Sequence, residues 1–255
     1  MEFPLSLPLI RDLQAIAFTA PVTFLVGENG SGKSTLLEGI AVGAGAVAMG
    51  AHELERDPSL AAARRLAGAF FFTRSRHART RLFLRAEDVF VFTKRVADTM
   101  EGLRQDEAAL QDSLPDGYGR LIATGAVAAQ RGALTHSYGA DPDGRSHGET
   151  FLTLLRRRLV PNGLYLLDEP ETPLSPGRVL ALMALIAERV AQGCQFIIAT
   201  HSPILMALPG AEILLVEQGR IASAVWTDLE HVRVTRAFLA DPQAVLAKLL
   251  GPGEA

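Results

Sequence analysis

The stretch Gly27-Glu28-Asn29-Gly30-Ser31-Gly32-Lys33-Ser34-Thr35 carries the pattern G-x-x-x-x-G-K-[ST], whose residue types suit phosphate binding. Its glycines let the backbone wrap tightly and turn N–H groups toward phosphate oxygens, and a helix opening at Lys33 adds the positive end of its dipole. Lys33 is placed to reach the outer phosphates of a nucleoside triphosphate, and the Ser34 hydroxyl to ligate Mg²⁺. A second constellation, Leu164-Tyr165-Leu166-Leu167-Asp168-Glu169-Pro170, delivers two carboxylates at the end of an apolar strand, where ligands sit in open α/β sheets. Asp168 can hold Mg²⁺ directly or through water, and Glu169 can orient and polarise an attacking water. A third, Ala199-Thr200-His201-Ser202-Pro203, also closes an apolar run. His201 can hydrogen-bond a terminal phosphate or the attacking water. Ser202 and Pro203 also suit the cap and first residue of a short helix, and the two roles are compatible.

These residues need elements to hold them. Val22–Val26 is a β-rich apolar run before the glycine loop, and Lys33 to about Ala46 reads as a buried helix. The stretch 51–67 is charged, Ala-rich and helical in composition. Ala69–Thr73 and Arg81–Arg85 read as strands around a turn rich in arginine (Arg74, Arg76, Arg79), which suits either a nucleotide or nucleic-acid patch or a solvated polar turn. Thr93–Leu114 places Val96, Met100, Leu103 and Leu110 on one helical stripe. From Pro115 to Gly148, frequent Gly, Pro and Asp predict irregular connections with a short strand at Leu121–Ala123. A helix is expected at Thr150–Leu159 and a strand at Leu164–Leu167. Ser175-Pro176 open a helix reaching about Gln192, and Gln195–Thr200 is a buried strand. A hairpin is expected about Gln218-Gly219, with helical sequence broken near Asp241-Pro242. Strands alternating with helices predict an α/β core with a largely parallel sheet, interrupted over roughly 86–150 by a helical lobe.

The 255 residues, 48% hydrophobic, suffice for a substantial core, and a net charge of −3 excludes a surface that is basic throughout. The single cysteine, Cys194, allows no internal disulfide framework and fits a reducing compartment. Met1-Glu2-Phe3-Pro4 opens without a secretory pattern, and no apolar run spans a bilayer. The expectation is a cytoplasmic protein without direct membrane insertion.

In their order, the phosphate loop (Walker A), a helical interruption, Asp-Glu-Pro (Walker B) and a Thr-His after the next strand resemble an ABC-type ATPase domain, from about Thr23 to Val216. Ser146-His147-Gly148-Glu149 stands where that family has its Leu-Ser-Gly-Gly-Gln signature. Ser146 matches the signature serine and Gly148 its second glycine. Glu149 replaces glutamine, as in the RecF and SMC branch, and His147 departs from the first glycine. The wording looks most like small stand-alone bacterial ATPases of that branch. The resemblance implies a P-loop NTPase fold with a RecA-like core sheet, as one domain over 1–255. Its core lobe would be 1–85 and 150–255, and its helical lobe about 86–149. It implies ATP and Mg²⁺ as ligands and a head-to-tail homodimer on ATP binding. ATP would then be shared between the phosphate loop of one copy and Ser146, Gly148 and Glu149 of the other. Residues 171–175 match the loop that crosses the dimer interface in that family. Glu87, in Arg85-Ala86-Glu87, is the positional match to the Mg²⁺-sensing glutamine. Such an ATPase would be a switch in nucleic-acid maintenance or defence, with a nucleic acid or a further protein as partner. Alternatives are the ATPase subunit of a membrane transporter and a slowly hydrolysing, nucleotide-gated interaction module.

Overall fold

Every residue of strand β1 (Val22–Val26) is buried, so the sheet containing it must be covered on both faces. The structure, a computed structural model, describes residues 2–48, 60–138 and 147–250. With β2 (Val47–Ala48), β3 (Thr80–Arg85), β4 (Gly163–Asp168), β5 (Gln195–Ala199), β6 (Glu212–Glu217) and β7 (Arg220–Ser223), β1 forms a seven-stranded sheet in the order β2-β3-β4-β5-β1-β6-β7. All neighbouring pairs are parallel except the β6–β7 hairpin.

Alternate side chains on each strand supply two apolar layers. Leu25, Phe83, Leu166, Ile197 and Val216 face α1 (Pro8–Arg11), α2 (Lys33–Ala44) and α3 (Ala61–Ala69). From the end of β3 the chain passes without a loop into α4 (Ala86–Ser113), then returns as α5 (Tyr118–Tyr138), the pair pinned by Arg131 to Glu107 at 3.0 Å. On the sheet's second face, Phe24, Leu84, Leu167 and Ile198 pack under α6 (His147–Arg158) and α7 (Pro176–Ala191). Helices α8 (Glu230–Ala240) and α9 (Pro242–Leu250) close the described chain. They are parted at Asp241, whose carboxylate caps the Ala244 N–H at 2.9 Å. No helix among the described residues is long and apolar enough to cross a membrane.

Three expectations change. Residues 118–138 are helical, not irregular, and Leu121–Ala123 is no strand. Gly119, Gly125 and Gly132 punctuate the sequence, but each missing side chain faces open space. They weaken the helix by about 1 kcal/mol apiece, and packing on α4 offsets this. Residues 139–146 lie outside the described part, as do 51–59 of the expected helix at 51–67; its remainder is helical from Ala61 and continues to Ala69. Residues 69–73 form no strand. They leave α3 and cross the outside of α2, where the Phe72 ring lies so close to Gly43 that a Cβ there would meet it at 2.1 Å. Lastly, α4 begins at Ala86, ahead of the expected Thr93, because β3 feeds it directly.

Register makes the sheet a positioning device. Leu25 lies opposite Ala199, Ala199 opposite Asp168, and Asp168 opposite Arg85. The C-terminal ends of four strands are therefore level, and the segments leaving β1, β4 and β5 emerge side by side.

Candidate active site

The loop between β1 and α2 is shaped by its glycines. Gly27 has φ 155° and sits so tightly against β6 that a Cβ would meet the Val216 carbonyl oxygen at 2.2 Å. Gly32, at φ 96°, is the N-cap of α2 and occupies the left-handed region that other residues rarely adopt. Glu28, Asn29 and Gly30 are exposed, Ser31, Ser34 and Thr35 half-buried, and Lys33 buried. The Lys33 ammonium lies inside the loop and donates to the carbonyls of Gly27 and Glu28, both at 2.7 Å, with Ser31 Oγ at 3.4 Å. Burial pulls its pKa below the ordinary lysine value, while Glu169 and Asp168 push it back up.

Ser34 Oγ donates to Asp168 Oδ1 at 3.1 Å. Two residues 134 apart in sequence, both read as metal ligands, are thus in direct contact. A hydroxyl and one carboxylate are the oxygen donors Mg²⁺ takes from proteins when phosphates and water complete its shell. They fit that ion with phosphates and water as further ligands, since no group of three or more His, Cys, Asp or Glu side chains that could hold a metal gathers among the described residues. Arg85 pairs with Glu38 of α2 at 2.8 Å, bracing the end of β3 beside Asp168. Glu87 falls in the first turn of α4; its side chain is outside the described part.

Burial raises the Asp168 carboxyl from 3.8 to about 6; the Ser34 hydrogen bond, Arg85 and Lys33 oppose the rise and Glu169 adds to it. A carboxyl whose folded pKa is raised favours folding in its protonated form, so its contribution is full below about pH 4 and is lost as pH climbs through about 6. Asp168→Asn should therefore stabilise the protein without metal or nucleotide by roughly 1–3 kcal/mol at pH 7.5, shrinking toward zero at pH 4. Urea unfolding in chelator at the two pH values measures this; an equal gain at both would refute it.

Glu169 follows at φ 47°, a conformation uncommon outside glycine, with its N–H donating to the Ala199 carbonyl at 2.9 Å. This turn swings its half-exposed carboxylate toward His201, whose Nε2 lies 3.6 Å from Glu169 Oε1. Burial lowers the His201 pKa, with Lys33 and His231 lowering it further and Glu169 raising it. The lowered pKa favours the neutral ring, in which one nitrogen can accept and one can donate. His231 of α8 approaches it at a ring-centroid distance of 5.8 Å. Ser202 Oγ accepts from Leu205 N–H at 3.2 Å, but the short helix that follows is a 3₁₀ turn, Leu205–Ala207, whose N-cap is Ile204 rather than Ser202, so Pro203 lies ahead of it.

The structure brings together Lys33, Ser34, Asp168, Glu169 and His201. Gly148 and Glu149 instead meet the segment 173–178: a Cβ on Gly148 would lie 2.8 Å from the Pro173 carbonyl oxygen, and Glu149 is 3.7 Å from Arg178. Ser146 lies outside the described residues. Sequence reasoning missed Glu171, assigned only to an intersubunit loop. Its Oε1 accepts from Thr200 Oγ1 at 2.5 Å, His201 N at 2.9 Å and Ser202 N at 3.1 Å. It also missed His231 and the Arg85–Glu38 pair. The one available signal for Glu171 was a third acid two residues beyond Glu169.

Comparison with known proteins decides the family. Over 203 residues the chain is 32% identical to the cytochrome c biogenesis ATP-binding export protein CcmA of Paramagnetospirillum magneticum, across 78% of this chain and 82% of that protein. It belongs to the ABC-type ATPases. This ABC-type ATPase is also 29% identical over 225 residues to the hemin import ATP-binding protein HmuV of Nocardia farcinica, across 85% of this chain and 71% of that one. Residues 150–207 match the family described as AAA domain, putative AbiEii toxin, Type IV TA system, and residues 6–58 match an AAA domain family. Among solved structures it is similar to CbiO1 of Clostridium perfringens, part of the ABC transporter complex CbiONQ. That match has 17% identity and a TM-score of 0.45, covering 90% of this chain and 88% of that chain.

Proposed function

We propose that this ABC-type ATPase hydrolyses ATP with Mg²⁺ at the edge formed by β1, β4 and β5, and that it does so as a head-to-tail pair of copies. The observation that carries the reading is the Ser34–Asp168 hydrogen bond at 3.1 Å, which joins the phosphate loop to the carboxylate strand. The loop N–H groups of residues 27–35 and the α2 N-terminus take the phosphates, and Lys33 neutralises charge on the outer two. Ser34 and Asp168 hold the Mg²⁺, with Glu87 a further candidate from the start of α4. When bound, the ion supplies positive charge to the phosphate oxygens. Glu169 accepts a proton from the attacking water, and neutral His201 donates to the terminal phosphate or the water. Gly148 and Glu149, with Ser146 ahead of them, serve the ATP of the second copy.

As output, the reading best supported is the ATP-binding subunit of a membrane transporter, working on the cytoplasmic side with a separate membrane partner. The export and import proteins to which the chain is similar favour it. A second reading is a switch in nucleic-acid maintenance or defence, in the RecF and SMC branch. Glu149 in the signature and the toxin-related description of the family matching residues 150–207 favour that one.

Turnover per subunit tests the pair directly. It should rise with protein concentration and level off once pairs predominate, whereas a rate that is flat down to nanomolar protein would reject the two-copy site. Recovery with an integral-membrane protein from detergent extracts supports transport. Strong stimulation by duplex DNA transfers support to the second reading.

A further inference from the structure

We propose that Glu171 is a positioning residue of the hydrolytic site, setting the attitude of His201 and tying it to the segment 171–175. The proposal rests on the ATPase reading above. Glu171 stands two residues beyond Glu169, in the turn that leaves β4. Three donors converge on its Oε1: the hydroxyl of buried Thr200 and the backbone N–H groups of His201 and Ser202. Its Oε2 is buried and has no hydrogen-bond partner among the described residues, so among those residues the carboxylate bonds through one oxygen and only to this segment.

The geometry has a direct effect on His201. Two consecutive N–H groups held on one oxygen fix the peptide planes on either side of the His201 Cα, and with them the direction of its side chain. Thr200 Oγ1 reinforces this by accepting from Ser202 N at 3.0 Å. Charge-assisted bonds of this type are among the stronger ones in proteins. At its other end the same residue is part of a tight turn, with Thr172 N donating to Glu169 O at 3.1 Å and Leu174 N to Glu171 O at 2.8 Å. Glu169, Glu171, Thr172, Leu174 and His201 all line one open groove of about 360 Å³. A displacement of 172–175 therefore reaches His201 through a single carboxylate. Asp168, Glu169 and Glu171 divide the work: metal, water, and the histidine beside Glu169.

The test combines kinetics with the state of the histidine. Glu171→Ala should lower kcat about 10- to 100-fold, the loss of a charged hydrogen-bond cluster, and leave the KM for ATP within about threefold. Glu171→Gln keeps an acceptor oxygen in place and should recover most of that loss. In a His201→Ala background, Glu171→Ala should cost little more, because the group it positions is gone. The His201 imidazole resonances should shift and broaden in Glu171→Ala and return in Glu171→Gln. Losses that multiply independently in the double variant would overturn the proposal, as would His201 resonances indifferent to Glu171→Ala. Equal losses in the Gln and Ala variants would do the same by assigning the effect to charge. Failure of the ATPase reading itself would show elsewhere, as full turnover in Lys33→Ala.

Discussion

Lys33→Ala is expected to lower ATP turnover by at least about 100-fold, on the scale of losing one preorganised charge at a developing transition state. The ammonium is buried and spends its donors on the loop carbonyls of Gly27 and Glu28. It is therefore oriented before phosphate arrives and needs little reorganisation to meet it. The fold should survive the change. Removing a desolvated charge offsets the loss of its hydrogen bonds, so the cost should stay within about 2 kcal/mol. Lys33→Arg is expected to fare little better, since a planar guanidinium needs more room than two carbonyls 2.7 Å from a point charge allow. Phosphate release and calorimetric nucleotide binding, measured beside thermal unfolding, separate chemistry from folding. Wild-type turnover in a folded Lys33→Ala protein would remove the phosphate loop from the mechanism.

Glu169→Gln carries the second large effect: hydrolysis should fall about 100- to 1,000-fold while ATP binding persists. Gln preserves the shape of a side chain held at φ 47° but cannot take a proton from water. A second consequence follows from charge. Glu169 helps raise the Asp168 pKa, so its neutralisation favours ionised Asp168 and should strengthen the metal-bound state. Binding without turnover should then accumulate a long-lived pair of copies in ATP, visible by sedimentation and absent in ADP. A variant that keeps wild-type turnover and stays monomeric in ATP would show that another group activates the water.

The site was legible where chemistry is contiguous. Gly27–Ser34 states its purpose within eight residues, and Asp168-Glu169 sits at the end of an apolar run that can only be a buried strand. Their meeting was legible too, because parallel strands deliver their C-terminal ends to one edge. Glu171 was not, since its partners are chiefly backbone N–H groups some thirty residues on, and backbone donors leave no mark on composition. The clearest misreading of the fold was residues 118–138, where glycines facing open space carry the same letters as glycines in turns. Phe70-Phe71-Phe72 misled in the opposite sense. An aromatic run suits a strand, but Phe72 packs on Gly43 and Phe71 is wholly exposed, so the segment pairs with no neighbour in the sheet. Gly148 and Glu149 are candidates only through family likeness; alone they are the first turn of a helix.

The direct passage from β3 into α4 gives the helical hairpin the geometry of a lever. The 28 residues of α4 extend about 42 Å from Arg85. That arginine is the fulcrum, clamped to Glu38 on the phosphate-loop helix and level with Asp168 on the neighbouring strand. A tilt of about 5° at this junction carries the far tip roughly 4 Å, given the rise per residue of a helix. On the ATPase reading proposed above, sub-ångström adjustments around a cleaved phosphate would become a stroke the size of a side chain, delivered well away from the water and nucleotide that caused it.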